Sequence, residues 1–200
     1  MKYILCLLLL TMLCGVGWYF YNTSPKDTPQ EPIAEEEEEP QIENLLEEFS
    51  SDALGLSFNY HGGESGYVLL TPEGDDDPDL LEAIVLMDTQ EYEILMQDTG
   101  AREGPPSINV LVFDNIQNAS AEEWVKQEGF ANYLEEVANS RVQTVDGIEG
   151  FAYHTTGLFE GEAVAVAHEG KLYFFTGNYF SPEDQIVLDF QDVLNSVEFL

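Results

Sequence analysis

The residues whose types and spacing could do chemistry are concentrated in one acidic segment, Glu73-Gly-Asp-Asp-Asp-Pro-Asp79. Ca²⁺ requires several carboxylate oxygens at one place, and four aspartates of this segment could supply them: Asp75, Asp76, Asp77 and Asp79. Their spacing does not match an EF-hand loop, and no bidentate glutamate stands at the required offset. A solvated acidic turn is the favoured interpretation of this segment, and the alternative prediction is a weak calcium site at these aspartates.

Three histidines are the other candidate metal ligands: His61, His154 and His168. Their separation in the sequence matches no metal-binding spacing. Histidines with ordinary surface roles are the favoured interpretation. The alternative prediction is that His154 and His168, which lie near the ends of predicted neighbouring strands, approach each other.

Sequence motifs for a catalytic nucleophile or a bound nucleotide are absent. Ser65 lies in Gly63-Glu-Ser-Gly66, which does not complete the G-x-S-x-G elbow. The only cysteines, Cys6 and Cys14, lie in the apolar N-terminal run, so the globular part has neither a thiol nucleophile nor a cysteine-based zinc site. No glycine-rich phosphate loop follows a predicted strand and opens a helix. We therefore predict that the chain is not an enzyme, and calcium is the one cofactor suggested.

The charge of the chain limits its partners. It carries 39 acidic and 6 basic side chains, for a formal charge of −33. A field of this sign repels nucleic acid and attracts cations and basic partners. We expect no nucleic-acid partner and leave the identity of a protein partner open. Solubility or adaptation to a salty medium is the favoured explanation of the charge itself.

An uncharged apolar run from Tyr3 to Tyr21 approaches the ~20 residues that span a bilayer. Lys2 precedes it, and aromatic residues end it where an interfacial belt would lie. A cleaved signal peptide is the alternative, but bulky aromatics occupy the place of a small-residue cleavage site. We predict that residues 1–22 anchor the protein in the cell membrane as a single span, with the remaining chain outside the cytoplasm.

Residues 23–40 are predicted to be an acidic linker, rich in proline and glutamate. Prolines stiffen such a segment, like charges extend it, and it has too little apolar surface to fold. Residues 41–200 are then the globular domain.

The elements of the globular domain are predicted from hydrophobic periodicity and turn residues. A first helix covers residues 41–51, a second follows the capping box Ser120-Ala-Glu-Glu123 and continues through 130–137, and a third begins at Ser181 as N-cap with Pro182 in its first turn. Strands are predicted at 54–61, 67–71, 108–113, 145–155, 162–168, 171–179 and 197–200, together with a hairpin of 80–87 and 92–96.

The C-terminal strands are apolar or small on both faces. Such a sheet must be covered on both faces. The predicted fold class is therefore α+β, an antiparallel sheet flanked by helices on both faces in an α/β/α sandwich.

Five segments, in their order, resemble motifs of PsbP-like domains. They are Leu54-Gly-Leu-Ser-Phe-Asn-Tyr60, Ala121-Glu-Glu-Trp-Val125, Val145-Asp-Gly-Ile-Glu-Gly-Phe-Ala-Tyr153, Lys171-Leu-Tyr-Phe-Phe-Thr176 and the segment 190–199. The proline and tryptophan that usually follow the first motif are replaced by His61-Gly-Gly63. The resemblance implies an antiparallel sheet flanked by helices. It also implies a mostly non-catalytic family, which includes an extrinsic photosystem II subunit and membrane-anchored domains, with no shared catalytic residues.

A non-catalytic, membrane-tethered interaction domain is the function that these observations favour. The first alternative is a cation-responsive binding module that uses the acidic segment. The second is a hydrolase with dispersed carboxylates, which would require a deep pocket with convergent polar groups.

Overall fold

The computed structural model of the protein describes residues 45–72, 77–97, 103–128 and 139–200. Their elements are, in chain order, β1 (Leu45–Ser51), β2 (Leu56–Gly62), β3 (Tyr67–Leu70), β4 (Leu80–Asp88), α1 (Thr89–Gln97), β5 (Ser107–Asp114), α2 (Ala121–Glu128), β6 (Arg141–Val145), β7 (Ile148–Thr156), β8 (Glu160–His168), β9 (Lys171–Tyr179), α3 (Gln185–Ser196) and β10 (Glu198–Phe199). None of these three helices has the length and apolarity needed to span a membrane. The predicted anchor and linker lie outside the described residues.

The strands form one sheet in the order β1-β2-β3-β4-β5-β9-β8-β7-β6, with β10 also paired to β2. All pairs are antiparallel except β2 with β3, which run parallel and meet only at Gly62 and Tyr67. The prediction of a purely antiparallel sheet is therefore wrong at this pair. The rest of that edge of β2 is occupied: β10 pairs with it at Ser57, and the Ser196 hydroxyl hydrogen-bonds both the N–H and the C=O of Asn59. Little of the edge is left for β3.

Two apolar clusters lie on opposite faces of the sheet, because neighbouring residues of a strand point to opposite sides. One cluster packs against α3 and includes Val164, Val166, Tyr173, Phe175, Phe190, Val193 and Leu194. The other packs against α2 and includes Ala163, Ala165, Leu172, Phe174, Ala121, Trp124 and Val125. Helices on both faces of an α+β sheet are thus confirmed.

Helix α3 lies unusually close to the sheet at Gly177 of β9. A Cβ atom placed on Gly177 would lie 2.6 Å from Cγ of Phe190 and 2.9 Å from its Cβ. The absence of a side chain at this position therefore lets the ring of Phe190 pack directly on the backbone of the strand.

The predicted first helix, residues 41–51, is wrong, since the described part of it is strand β1. Two cross-strand pairs with β2 outweigh the helical spacing of the apolar residues. Phe49 stacks on Phe58 with ring centroids 5.1 Å apart, and the Tyr60 hydroxyl donates to a Glu47 carboxylate oxygen at 2.7 Å. Leu46, by contrast, is 66% exposed, although the helical pattern predicts it to be buried.

The predicted hairpin of 80–87 and 92–96 is also wrong, because helix α1 replaces its second strand. Asp88 begins this helix: its Oδ1 accepts hydrogen bonds from the N–H groups of Gln90 and Glu91, at 2.9 and 3.0 Å. An aspartate in this role is an N-cap, and it satisfies amide groups that have no partner inside the helix.

Two other boundaries differ from the prediction, while the capping box of α2 is confirmed. Asp146 and Gly147 have positive φ angles of 45° and 76° and form a tight turn, so strand β6 precedes the predicted strand at 145–155. Helix α3 begins at Gln185, with Asp184 as its N-cap residue in place of Ser181.

In α2, the Ser120 hydroxyl accepts from the Glu123 N–H at 3.2 Å, and the Glu123 carboxylate accepts from the Ser120 N–H at 3.1 Å. The predicted continuation through 130–137 lies outside the described residues.

Candidate functional site

The predicted calcium ligands are only partly described. Asp75 and Asp76 lie outside the described residues. Oδ1 of Asp77 accepts a hydrogen bond from the N–H of Asp79 at 2.9 Å, which closes a local turn. In the described part of the chain, neither aspartate belongs to a group of three potential metal ligands. The calcium site therefore stays a prediction.

The predicted approach of His154 to His168 is wrong. His154 on β7 faces Glu162 on β8, whereas His168 is at the other end of β8 and faces Lys171. The register of the two strands therefore holds the histidines far apart. His168 instead lies beside the ring of Phe199, with centroids 5.1 Å apart.

A cleft of about 580 Å³, here called the acidic cleft, opens at the N-terminal end of α3. Five separate parts of the chain line it: the start of β3, the start of α1, the segment 103–106, the β7–β8 turn and residues 180–189. Sheet pairing and the packing of α3 bring these parts together, so the cleft is a product of the tertiary fold.

Negative side chains dominate the polar lining of the acidic cleft. Its described lining includes no lysine, arginine or histidine, and it has five carboxylates: Asp88, Glu91, Glu103, Asp184 and Asp189. Two of these carboxylates also accept hydrogen bonds from backbone N–H groups. Asp88 caps α1, and the Asp184 carboxylate accepts hydrogen bonds from the N–H groups of Phe180 and Ser181, at 3.0 and 2.9 Å. Carboxylates thus outnumber basic side chains in the described lining of the cleft.

Apolar groups form the remaining wall of the acidic cleft. The rings of Phe159 and Phe180 pack edge to face, with centroids 5.1 Å apart. Phe180 is 70% exposed and Leu158 is 62% exposed. Pro105 and Pro106 add a rigid apolar surface. A charged ligand that also carries apolar groups would therefore fit the lining.

The floor of the acidic cleft is a buried tyrosine–aspartate pair. The Tyr67 hydroxyl donates to Oδ2 of Asp189 at 2.7 Å, and Nε2 of Gln185 donates to Oδ1 at 2.9 Å. Burial, together with the hydrogen bond to the Asp189 carboxylate, raises the pKa of the Tyr67 hydroxyl well above its usual range. The hydroxyl therefore stays protonated and engaged with Asp189. The described lining of the cleft contains no cysteine, histidine or lysine.

A second cluster of polar groups adjoins the floor. His61 of β2 and the α3 residues Asp189 and Asp192 each offer one potential ligand atom, and these atoms all lie within 4.8 Å of one another. The sequence indicates His61 only as one of three histidines, without Asp189 or Asp192. The signal for the missed residues is the polar face of α3, where Gln185, Asp189 and Asp192 recur at intervals of four and three.

Comparison with known proteins gives a fold relative without close sequence similarity. No protein-family model and no curated protein matches the chain. Among solved structures, the solution structure of cyanobacterial PsbP (CyanoP) from Synechocystis sp. PCC 6803 superimposes with a TM-score of 0.53 at 15% sequence identity, over 78% of this chain and 94% of that chain. At this identity the match establishes the architecture and not the activity. The sheet covered by helices on both faces, together with this superposition, identifies the fold of this protein as that of a PsbP-like domain.

Proposed function

We propose that this protein is a non-catalytic, membrane-tethered binding domain, and that its acidic cleft receives a basic segment of a partner protein outside the cytoplasm. The observation that carries the proposal is the lining of the cleft, in which carboxylates and exposed apolar side chains occur together without a described basic residue.

Charge supports the choice of a basic partner. The five carboxylates of the cleft lie in a chain with a formal charge of −33, so that the local field and the overall field have the same sign. Fields of this kind speed the encounter with cations and suppress the binding of anionic molecules. A lysine or arginine side chain would also gain from the faces of the cleft phenylalanines.

The apolar wall supports a protein segment over a simple cation. A metal ion makes no use of Leu158, Phe180 and the two prolines, whereas a peptide with alternating basic and apolar residues does. Exposed aromatic side chains in a concave surface are typical anchors of protein interfaces.

Tethering rests on the sequence of residues 1–22 alone. The apolar run, with Lys2 before it and aromatic residues at its end, supports a single span. Carbonate extraction of membranes tests this part separately: an anchored chain stays in the pellet, and release into the supernatant would contradict the anchor.

The binding test uses the full-length chain in detergent and a labelled peptide of alternating arginine and leucine, followed by fluorescence anisotropy. A matched peptide of alternating glutamate and leucine should not bind. Glu103→Gln and Phe180→Ala each remove one feature of the cleft, and we expect each to weaken binding by about tenfold, which corresponds to about 1.4 kcal/mol.

Matched control variants separate the cleft from the general charge of the protein. Glu149→Gln removes an exposed carboxylate on β7, and Val142→Ala shortens an exposed apolar side chain on β6. Neither residue lines the cleft. If Glu149→Gln weakens binding as much as Glu103→Gln does, the peptide responds only to net charge and the proposal fails.

A further inference from the structure

We propose that His61, Asp189 and Asp192 form a binding site for a divalent transition-metal ion, with Zn²⁺ as its representative. The proposal is independent of the proposed function. Asp189 lines the acidic cleft, but His61 and Asp192 do not, so the two can be tested separately.

The three ligand atoms are close enough for one ion. They lie within 4.8 Å of one another. Nitrogen and oxygen ligands at about 2.0–2.2 Å from a tetrahedral zinc ion are about 3.4 Å apart. Binding therefore requires the group to contract by little more than an ångström. Asp192 is exposed and can supply this movement by rotation of its side chain.

The fold holds this group together through the contact of α3 with β2. The Ser196 hydroxyl hydrogen-bonds the N–H of Asn59 at 2.9 Å and its C=O at 3.2 Å, which fixes the register of helix and strand. Asp192 is one helical turn before Ser196, and His61 is two residues after Asn59. Four helical residues and two strand residues span similar lengths, about 6.0 and 6.6 Å, so Asp192 and His61 come side by side.

A buried nitrogen at this site is unsatisfied. Nδ1 of His61 is inaccessible to solvent and has no hydrogen-bond partner in the described part of the chain. Buried polar atoms are nearly always satisfied, and an exception calls for an unseen water or ion. An ion bound through Nδ1 would give this nitrogen the partner that the described part of the protein does not provide.

The partners of Asp189 orient it as metal ligands are usually oriented. Tyr67 donates a hydrogen bond to Oδ2 of Asp189, and Gln185 donates one to Oδ1. Each of the two oxygens therefore keeps a further lone pair. Hydrogen bonds of this kind fix the direction of a ligating carboxylate and are typical of the surroundings of protein metal sites.

The type of ligand selects the type of metal. Calcium and magnesium take oxygen ligands, usually six or more for calcium, whereas an imidazole with carboxylates suits zinc and its neighbours in the first transition series. The site offers three protein ligands, so that water or a ligand group completes the coordination. Its chemistry therefore differs from that predicted for the aspartates of the 73–79 segment.

The test is a zinc titration of the full-length chain in detergent by isothermal calorimetry. Cys6 and Cys14 are first blocked with iodoacetamide, because thiolates also bind zinc. We expect one zinc ion per chain, not displaced by millimolar calcium. His61→Asn and Asp192→Asn should each weaken binding by at least about tenfold, since even changes outside the ligands often cost about 10–100-fold.

His168→Asn is the matched control, because it replaces a histidine outside the cluster. Its zinc affinity should equal that of the unaltered chain. Thermal melting confirms that each variant is folded, and the exposed Asp192 supplies a test even if His61→Asn does not fold. ¹⁵N-labelled histidine provides a second readout, in which zinc should shift the ring signals of His61 and leave those of His168. Equal affinity in all variants, calcium displacement of the zinc, or the absence of binding would each overturn the proposal.

Discussion

The close packing of α3 on β9 predicts that Gly177→Ala destabilises the protein. The new methyl carbon would lie 2.6 Å from Cγ of Phe190, whereas nonbonded carbons are at their optimum about 3.5–4.0 Å apart. Overpacking of this kind costs about 1–3 kcal/mol. Removal of a glycine from a strand interior returns about 0.5–1 kcal/mol. These two ranges leave a net loss in the free energy of unfolding of about 0–2.5 kcal/mol, and the severe approach of 2.6 Å places the expected loss at about 1–2 kcal/mol.

Thermal denaturation followed by circular dichroism measures this loss. For a chain of this size, about 2–4 °C of melting temperature corresponds to 1 kcal/mol, so we expect a decrease of about 2–8 °C. Gly104→Ala is the matched control, because nothing lies within 4 Å of its added Cβ. That change should stay within about 0.5 kcal/mol of the unaltered protein.

A second substitution tests the cause of the effect. Phe190→Ala removes the Cγ and Cδ1 atoms that the new methyl group would contact, so its cost should be smaller in the Gly177→Ala background than in the unaltered protein. Residues in direct contact commonly show coupling of about 0.5–3 kcal/mol in such cycles. The steric reasoning is refuted if the Gly177→Ala variant has the same melting temperature as the Gly104→Ala variant. It is also refuted if the effects of the substitutions at Gly177 and Phe190 on the free energy of unfolding are strictly additive.

Three further perturbations have definite expected outcomes. Tyr67→Phe removes a hydrogen bond to the buried Asp189 carboxylate and should lower the free energy of unfolding in urea by about 1.5–3 kcal/mol. Ser120→Ala removes the cap of α2 and should cost about 0.5–2 kcal/mol in the same measurement. Burial and the nearby Glu47 carboxylate raise the pKa of Tyr60 from 10.0 to about 12. Between these pH values the folded state keeps a proton that the unfolded state loses. The stability present below pH 10 should therefore decrease as the pH rises toward 12, and this decrease should be less steep in the Tyr60→Phe variant.

The parts of the fold that could be predicted from the sequence are those set by neighbouring residues. Strand β9 and the alternation of its side chains, the turn at Glu169-Gly170 and the capping box of α2 all depend on short segments. Strand β1 could not be predicted in this way, because its conformation is decided by Phe58 and Tyr60 on the strand opposite. Tertiary pairing overrides a local helical spacing there.

Two errors had local signals that could have been used. Asp88-Thr-Gln-Glu91 has an N-cap residue with an acidic residue three positions later, which is a helix start. Asp146-Gly147 is a strong hairpin turn, and it divides the predicted strand at 145–155. The acidic cleft had no such signal, because five separate segments line it. The cluster of His61 with Asp189 and Asp192 likewise depends on the packing of a strand against a helix more than 120 residues later in the chain.

The way in which one edge of β2 is covered has a consequence for biosynthesis. Asn59 and Ser196 are 137 residues apart in the chain, and β10 follows immediately after Ser196. Once the N-terminal strands are made, this edge of β2 has only its single contact with β3, at Gly62 and Tyr67, until α3 and β10 have been translated. Contacts of such long sequence separation form slowly, and unpaired strand edges promote aggregation in the meantime. The growing chain therefore exposes this part of the edge until β10 has been translated, and early termination within α3 would leave a product in which neither Ser196 nor β10 covers it.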